Sequence, residues 1–172
     1  MFARPSTPAA TFPPEIWDDL VTGPIALAHW MAGPAGANEQ TIRELLEGAA
    51  RKFENLPLIA AICRAGERRT HPVQHLQESD IFVACAGGVG QMESKALPFE
   101  VAAYRLLLIE TAEDVARRTS GKTDEIPDAH KRAINRLIDA LGAQDLVQKW
   151  PLQGEGEESR PAAMNRTNRA TA

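Results

Sequence analysis

Hydrophobic positions recur every three to four residues along most of residues 14–150, which is the spacing of one face of an α-helix. The clearest case begins after Asn38, a favourable N-cap, and its apolar positions are Ile42, Leu45, Leu46, Ala49 and Phe53. A second case begins at Pro127 and ends at Gly142, and its apolar positions are Ala129, Ala133, Ile134, Leu137, Ile138 and Leu141. Both patterns predict amphipathic helices that pack their apolar faces on a shared core.

A central helix is predicted to begin at Leu97 and to end before Gly121. Pro98 fits its first turn, where a missing N–H costs nothing, and Glu100 favours the positive end of the helix dipole. Residues 106–109, Leu-Leu-Leu-Ile, are apolar on every side of this helix. Such a pattern is typical of a helix surrounded by others.

The Gly23-Pro24 pair interrupts the first apolar stretch. Proline lacks a backbone N–H and its ring clashes with the preceding turn. We therefore expect a break or a kink between two helical segments, one at 14–20 and the other at 25–31.

Ile81 to Gly90 reads IFVACAGGVG and fits two different structures. An apolar strand that runs into glycines and then a helix is how dinucleotide-binding folds hold a pyrophosphate. However, Glu93 stands where the third glycine is needed, and the sequence contains no P-loop lysine and no second predicted strand. We therefore favour a helix in which Ala84, Gly88 and neighbouring small residues form a smooth face for another helix.

The sequence as a whole predicts an all-α protein, a compact bundle of five to seven helices at residues 14–150. Residues 1–13 are rich in Pro, Ala, Ser and Thr and predict a disordered lead-in. Residues 151–172 contain almost no large apolar side chains and predict a disordered tail.

Composition narrows the possible partners of this bundle. Among 172 residues, 23 acidic and 19 basic side chains give a formal net charge of −4, so the chain lacks the positive field that nucleic acids and anionic membranes select. Cys63 and Cys85 are too few for a disulfide framework and form no CxxC pair, which favours two buried, inert thiols. No apolar run reaches the roughly 18 residues of a membrane span, and residues 1–14 lack a secretory core. These observations predict a cytoplasmic protein that binds neither nucleic acid nor membrane.

Candidate catalytic and metal-binding groups are sparse. His71 and His75 are four residues apart, but Pro72 between them disfavours the helix that would align them over a metal. No Glu-x-x-His pair is present, so a carboxylate-bridged di-iron site is not expected. The solvated side of the central helix is predicted to include Glu110, Glu113 and Asp114. The sequence thus predicts no catalytic residue, no cofactor-binding residue and no metal ligand.

Two stretches of the sequence carry a resemblance to known proteins. Trp17 and Leu20 followed by Gly23-Pro24, together with residues 96–104, Ala-Leu-Pro-Phe-Glu-Val-Ala-Ala-Tyr, resemble an uncharacterised group of small bacterial all-helical proteins. The order of elements over residues 14–142 is also similar to that of the tellurite-resistance TerB-like bundles. TerB-like proteins carry acidic Asp-Gly loops linked to metal, whereas this chain has Ala-Gly-Gly at 86–88. The resemblance therefore implies the helical fold and no site.

Two functional hypotheses follow from these patterns. The first is a non-enzymatic helical interaction or assembly module that binds another protein or a second copy of itself, because apolar faces are many and convergent polar groups are absent. Its candidate interaction surface consists of Trp17, Trp30, Gly87 and Gly88. The alternative is a bundle that binds a small ligand or catalyses a modest reaction, with candidate groups His71, His75, Cys85, Glu93 and Glu100. We favour the first hypothesis, because the sequence offers no site from which chemistry can be argued.

Overall fold

The structure, a computed structural model, describes residues 8–34, 36–69, 77–121 and 125–149. Its α-helices are α1 (Pro14–Met31), α2 (Glu39–Lys52), α3 (Pro57–Glu67), α4 (Glu78–Lys95), α5 (Pro98–Thr119), α6 (Asp128–Ala140) and α7 (Gln144–Lys149). The described residues contain no β-strand, so the predicted all-α bundle of five to seven helices is confirmed. Residues 81–90, which also fitted a strand and a ligand-binding loop, lie within α4.

The centre of the bundle is α5, as the apolar run at 106–109 predicted. This helix packs against α1, α2, α3, α4 and α6. Leu107, Leu108 and Ile109 are buried, and only Leu106 retains partial exposure. The hydrophobic core therefore surrounds α5, and the other helices are positioned by their contacts with it.

Two predicted helix starts are confirmed by their hydrogen bonds. Asn38 caps α2, because its Oδ1 accepts a hydrogen bond from the backbone N–H of Gln40 at 2.8 Å. At the start of α5, the Glu100 Oε2 accepts a hydrogen bond from the backbone N–H of Leu97 at 2.9 Å. Both contacts satisfy backbone donors that a helix end otherwise leaves without a partner.

Of the break or kink expected at Gly23-Pro24, the break is wrong, because α1 continues through both residues. Pro24 has no N–H to donate to the carbonyl of Leu20 four residues earlier. The hydroxyl of Tyr104, in α5, donates a hydrogen bond to that carbonyl oxygen at 3.0 Å instead. A donor from another helix thus replaces the missing one, and α1 remains a single helix.

Tyr104 approaches two glycines closely: glycine is required at position 23, whereas a Cβ at position 88 would make ordinary van der Waals contacts with the same side chain. A Cβ on Gly23 would lie 2.9 Å from the Tyr104 hydroxyl oxygen, a distance that real Cβ atoms essentially never show. A Cβ on Gly88, in α4, would lie 3.4 Å from the same oxygen and 3.5 Å from Leu20 Cδ2. The prediction that small residues of α4 allow another helix to pack closely is therefore confirmed at Gly88, whereas Ala84 is exposed.

The folded domain begins before the predicted boundary at residue 14. A 3₁₀ turn, Pro8–Thr11, packs against α3. Phe12, which directly follows this turn, is only 4% exposed and belongs to the hydrophobic core. Phe12 is a single large apolar residue in a Pro/Ala-rich stretch, so it is not part of a periodic hydrophobic pattern. For this reason the sequence pattern did not predict its burial. The predicted tail at 151–172 lies outside the described residues.

Candidate functional site

One face of α4 is exposed along the whole length of the helix. Its residues are spaced three and four apart, so their side chains share one side of the helix. They are Asp80, Val83, Ala84, Gly87, Gly90, Gln91, Ser94 and Lys95, and each is exposed. We refer to these eight residues as the outer face of α4. Val83 is 72% exposed, which is a large exposed fraction for an aliphatic side chain in a helix.

The two glycines of the outer face have no packing role among the residues that the structure describes. A Cβ at Gly87 or at Gly90 would meet no atom within 4 Å. Glycine inside a helix costs about 1 kcal/mol relative to alanine, mainly because it loses more backbone freedom on folding. The fold therefore gives no reason for glycine at these positions, whereas the close approach of another molecule to the bare backbone would give one.

The outer face of α4 carries opposite charges at its two ends and is followed by two exposed apolar side chains. Asp80 lies in the first turn of α4 and Lys95 in the last, and neither forms an ion pair with another described residue. Directly after α4, Leu97 and Phe99 are each 55% exposed. The outer face is thus negative at one end, positive at the other, uncharged between them and continuous in sequence with two exposed apolar side chains.

The four residues predicted to form an interaction surface lie in different environments. Trp17 and Trp30 are partly buried against the core, and Trp30 makes an edge-to-face contact with Phe82 at a centroid distance of 5.4 Å. Gly87 is on the outer face of α4, whereas Gly88 points inward to Tyr104. Gly88 therefore packs within the domain and is not available to a partner.

A second feature is a cleft of about 420 Å³ between α2 and α5. Its apolar lining includes Gly48 and Ala49 of α2, whereas Leu107 of α5 lies beneath the surface and is only 1% exposed. Most of the other lining residues are charged. Ion pairs join the two helices across it, one between Lys52 and Glu110 and the other between Arg118 and Glu44 at 3.1 Å. We refer to this feature as the α2/α5 cleft.

The prediction that Glu113 lies on the solvated side of α5 is wrong, since this residue is only 8% exposed. It follows Ile109 by one helical turn and precedes Ala116 by three residues, and both of these are buried. Burial raises the pKa of the Glu113 carboxyl group, and the positive charge of Arg117 opposes that effect only in part. Asp114, one residue further, is exposed as predicted. The period of the helix, applied from Ile109, would have identified Glu113 as an inward position.

We expect Glu113→Gln to change how the free energy of unfolding depends on pH. Because the folded-state pKa of Glu113 is above its ordinary value of 4.5, the native chain loses stability as pH rises from about 4.5 through the folded pKa. Glutamine does not titrate, so this loss should be absent in the variant. Urea unfolding at a series of pH values measures the effect, and identical pH profiles for the two proteins would contradict it.

The described candidate groups of the enzymatic hypothesis, Cys85, Glu93 and Glu100, are each engaged in the fold. Burial raises the pKa of Cys63 and of Cys85 to about 12, so neither thiol is a thiolate near neutral pH, and the interpretation of both as buried free thiols is confirmed. Glu93 forms an ion pair with Arg105 at 2.5 Å, and Glu100 caps α5. The remaining two candidates, His71 and His75, lie outside the described residues.

Two histidines that the sequence did not single out are placed at the end of α1. The Nδ1 of His29, which is buried, accepts a hydrogen bond from the backbone N–H of Ala37 at 3.2 Å. The Nε2 of His130, in α6, lies 3.1 Å from the carbonyl oxygen of Met31. Both contacts are structural, because they fix the end of α1 to the following loop and to α6.

No family model matches the chain, and no curated protein or solved structure is significantly similar to it. Within residues 8–34, 36–69, 77–121 and 125–149, no three His, Cys, Asp or Glu side chains are grouped so that they could hold a metal ion. In the same part of the chain, no helix combines the length and the apolar character that crossing a membrane requires.

Proposed function

We propose that this protein is a non-enzymatic assembly module that binds a second copy of itself through the outer face of α4. The observation that carries the proposal is the presence of Gly87 and Gly90, beside the largely exposed Val83, where no contact with another described residue requires glycine. An unpaired helix face with a bare backbone permits a second helix to approach closely, at the lower end of the usual range of about 8–10 Å between helix axes.

Charge complementarity supports a second copy as the occupant. A two-fold symmetric dimer places the same surface of each copy face to face, so the surface must complement itself. When two α4 helices cross antiparallel with the two-fold axis between positions 87 and 88, Asp80 of one copy lies opposite Lys95 of the other, and Ala84 lies opposite Gln91. The opposite charges then attract at both ends, and the helix dipoles are antiparallel. A parallel arrangement would place like charges together.

The experiment compares molecular mass at increasing concentration by light scattering. We expect the native chain to approach twice its mass of 18.7 kDa. Gly87→Leu should remain at 18.7 kDa, because the new side chain separates the helix axes. Gly48→Leu is the matched control, since Gly48 is an exposed helical glycine with no atom near its Cβ position but lies on α2. Native protein that stays monomeric, or equal association by all three proteins, would contradict the proposal.

The cellular setting is part of the same proposal. Free thiols at Cys63 and Cys85 are typical of a reducing compartment and support a cytoplasmic location. The net charge of −4 argues against nucleic acid as a partner. The likeness to small bacterial helical proteins stays a prediction. Among its residues, Gly23 lies against Tyr104, and Tyr104 donates a hydrogen bond to the Leu20 carbonyl that Pro24 leaves without its helical donor. We therefore expect true relatives to retain Gly23, Pro24 and Tyr104 jointly.

A further inference from the structure

The α2/α5 cleft is open at Gly48, the one lining residue of α2 that has no side chain. A Cβ on Gly48 would meet no atom within 4 Å, so a gap remains between the two helices at this point. The ion pairs Lys52–Glu110 and Glu44–Arg118 span the gap and connect α2 to α5. The volume of about 420 Å³ lies within the range of about 300–1,000 Å³ that small-molecule sites occupy.

Carboxylates in this cleft outnumber the cations that could pair with them. Lys52 is paired with Glu110, and Arg118 is paired with Glu44. Arg117 is the remaining cation of the cleft, and it is shared by the two remaining carboxylates. Its guanidinium nitrogens lie 3.5 Å from Glu113 and 3.6 Å from Asp114. The cleft therefore has an excess of one negative charge.

Glu113 is the carboxylate that lacks sufficient compensation. It is the most deeply buried of the charged groups that line the cleft, and its hydrogen bond from Arg117 is at the long limit of 3.5 Å. Burying a carboxylate costs free energy unless a nearby cation and hydrogen-bond donors compensate for the lost hydration. The less exposed the carboxylate is, the less water can contribute to that compensation. A cation that entered the cleft would supply what the protein does not.

We infer that the α2/α5 cleft binds a small organic cation, with its ammonium group against Glu113 and its alkyl part along Gly48 and Ala49. This site is distinct from the outer face of α4 and does not depend on the dimer. The apolar lining favours a ligand that has a short alkyl chain, and the buried carboxylate favours a primary ammonium, which donates up to three charge-assisted hydrogen bonds. A bare metal ion is a poorer match, because such ions prefer several oxygen ligands in place of an apolar lining.

The test is calorimetric titration of the full chain with n-butylammonium chloride, with sodium butyrate and 1-butanol as ligands of equal chain length. We expect butylammonium to bind and the other two ligands to bind at least about tenfold more weakly, because only the cation complements Glu113. Glu113→Gln should weaken butylammonium binding by about tenfold or more. Gly48→Leu should also abolish it by filling the cleft, whereas Gly87→Leu should bind as the native chain does.

Each contrary result has a definite meaning. Preferential binding of butyrate would mean that Arg117 or Lys52 anchors the ligand, and the inference would be overturned. Absence of butylammonium binding at millimolar concentration, or unchanged binding by Gly48→Leu, would overturn it as well. Far-ultraviolet circular dichroism monitors the folding of each variant. If Glu113→Gln fails to fold, the effect of Gly48→Leu on butylammonium binding decides whether the ligand occupies the cleft. Gly87→Leu changes the outer face of α4 and leaves the cleft intact. Butylammonium binding is therefore tested independently of whether the chain forms a dimer.

Discussion

Replacing Leu137 with alanine should lower the free energy of unfolding by about 2–5 kcal/mol. Leu137 is on α6, it has no exposed surface, and its neighbours are core residues. The substitution removes three buried carbon atoms and leaves a cavity that the surrounding helices fill only in part. Urea unfolding, followed by circular dichroism at 222 nm, measures the loss.

Leu97→Ala is the control for this prediction, since it makes the same chemical change at a side chain that is 55% exposed. We expect it to cost about 1 kcal/mol or less, because surface substitutions have small effects. Leu107→Ala is expected in the same range as Leu137→Ala, since Leu107 is only 1% exposed and belongs to the same core. Equal losses for Leu137→Ala and Leu97→Ala would mean that the core has been misplaced.

Replacing Tyr104 with phenylalanine should lower the free energy of unfolding by about 1–3 kcal/mol, which is the cost of a buried polar group left without a partner. The phenylalanine ring fills nearly the same space, so the change removes mainly the hydroxyl. That hydroxyl donates a hydrogen bond to the Leu20 carbonyl oxygen, to which Pro24 cannot donate because it has no backbone N–H. Leu20 and Tyr104 both have no exposed surface, so water cannot easily replace the lost donor.

A double-mutant cycle with Pro24→Ala tests this cause directly. Alanine at position 24 restores a backbone N–H, which can donate to the Leu20 carbonyl in the ordinary way of a helix. In that background, Tyr104→Phe should therefore cost clearly less than it does in the native chain. Equal costs in both backgrounds would contradict the interpretation that Tyr104 substitutes for the missing proline donor.

The helices of this protein were predictable where a local pattern determines them. The amphipathic repeats of α2 and α6, the Asn38 cap and the wholly apolar stretch of α5 depend on neighbours within one or two turns. The structure confirms each of them, except that Ala129, at the start of the α6 repeat, is exposed. The continuity of α1 was not predictable in this way. It depends on a hydroxyl 84 residues away in sequence, which no local rule about proline includes.

The candidate sites were less predictable, because they depend on the direction of individual side chains. Gly87 and Gly88 are adjacent in sequence, yet a rotation of about 100° per residue places one outside and the other against Tyr104. Without the position of α5, nothing distinguishes them. Glu113 was assigned to the surface because it is charged, although its place one turn after Ile109 indicates burial.

The α2/α5 cleft could not be inferred from the sequence at all. It lies between two helices that are separated in sequence and is open at Gly48, which has no side chain. Glycine at an exposed helical position has the same sequence signature on α2 and on α4. Only the three-dimensional arrangement shows that one borders a cleft and the other lies on an open face.

Disulfide trapping between copies tests the antiparallel pairing of α4 most directly. Because Cys63 and Cys85 are buried, and burial raises the pKa of both to about 12, introduced thiols on the outer face should be the ones that react. A mixture of Ala84→Cys and Gln91→Cys should form disulfide-linked pairs of the two variants, while each variant alone should remain largely uncrosslinked. Efficient crosslinking of each variant with itself, or none in the mixture, would contradict the account.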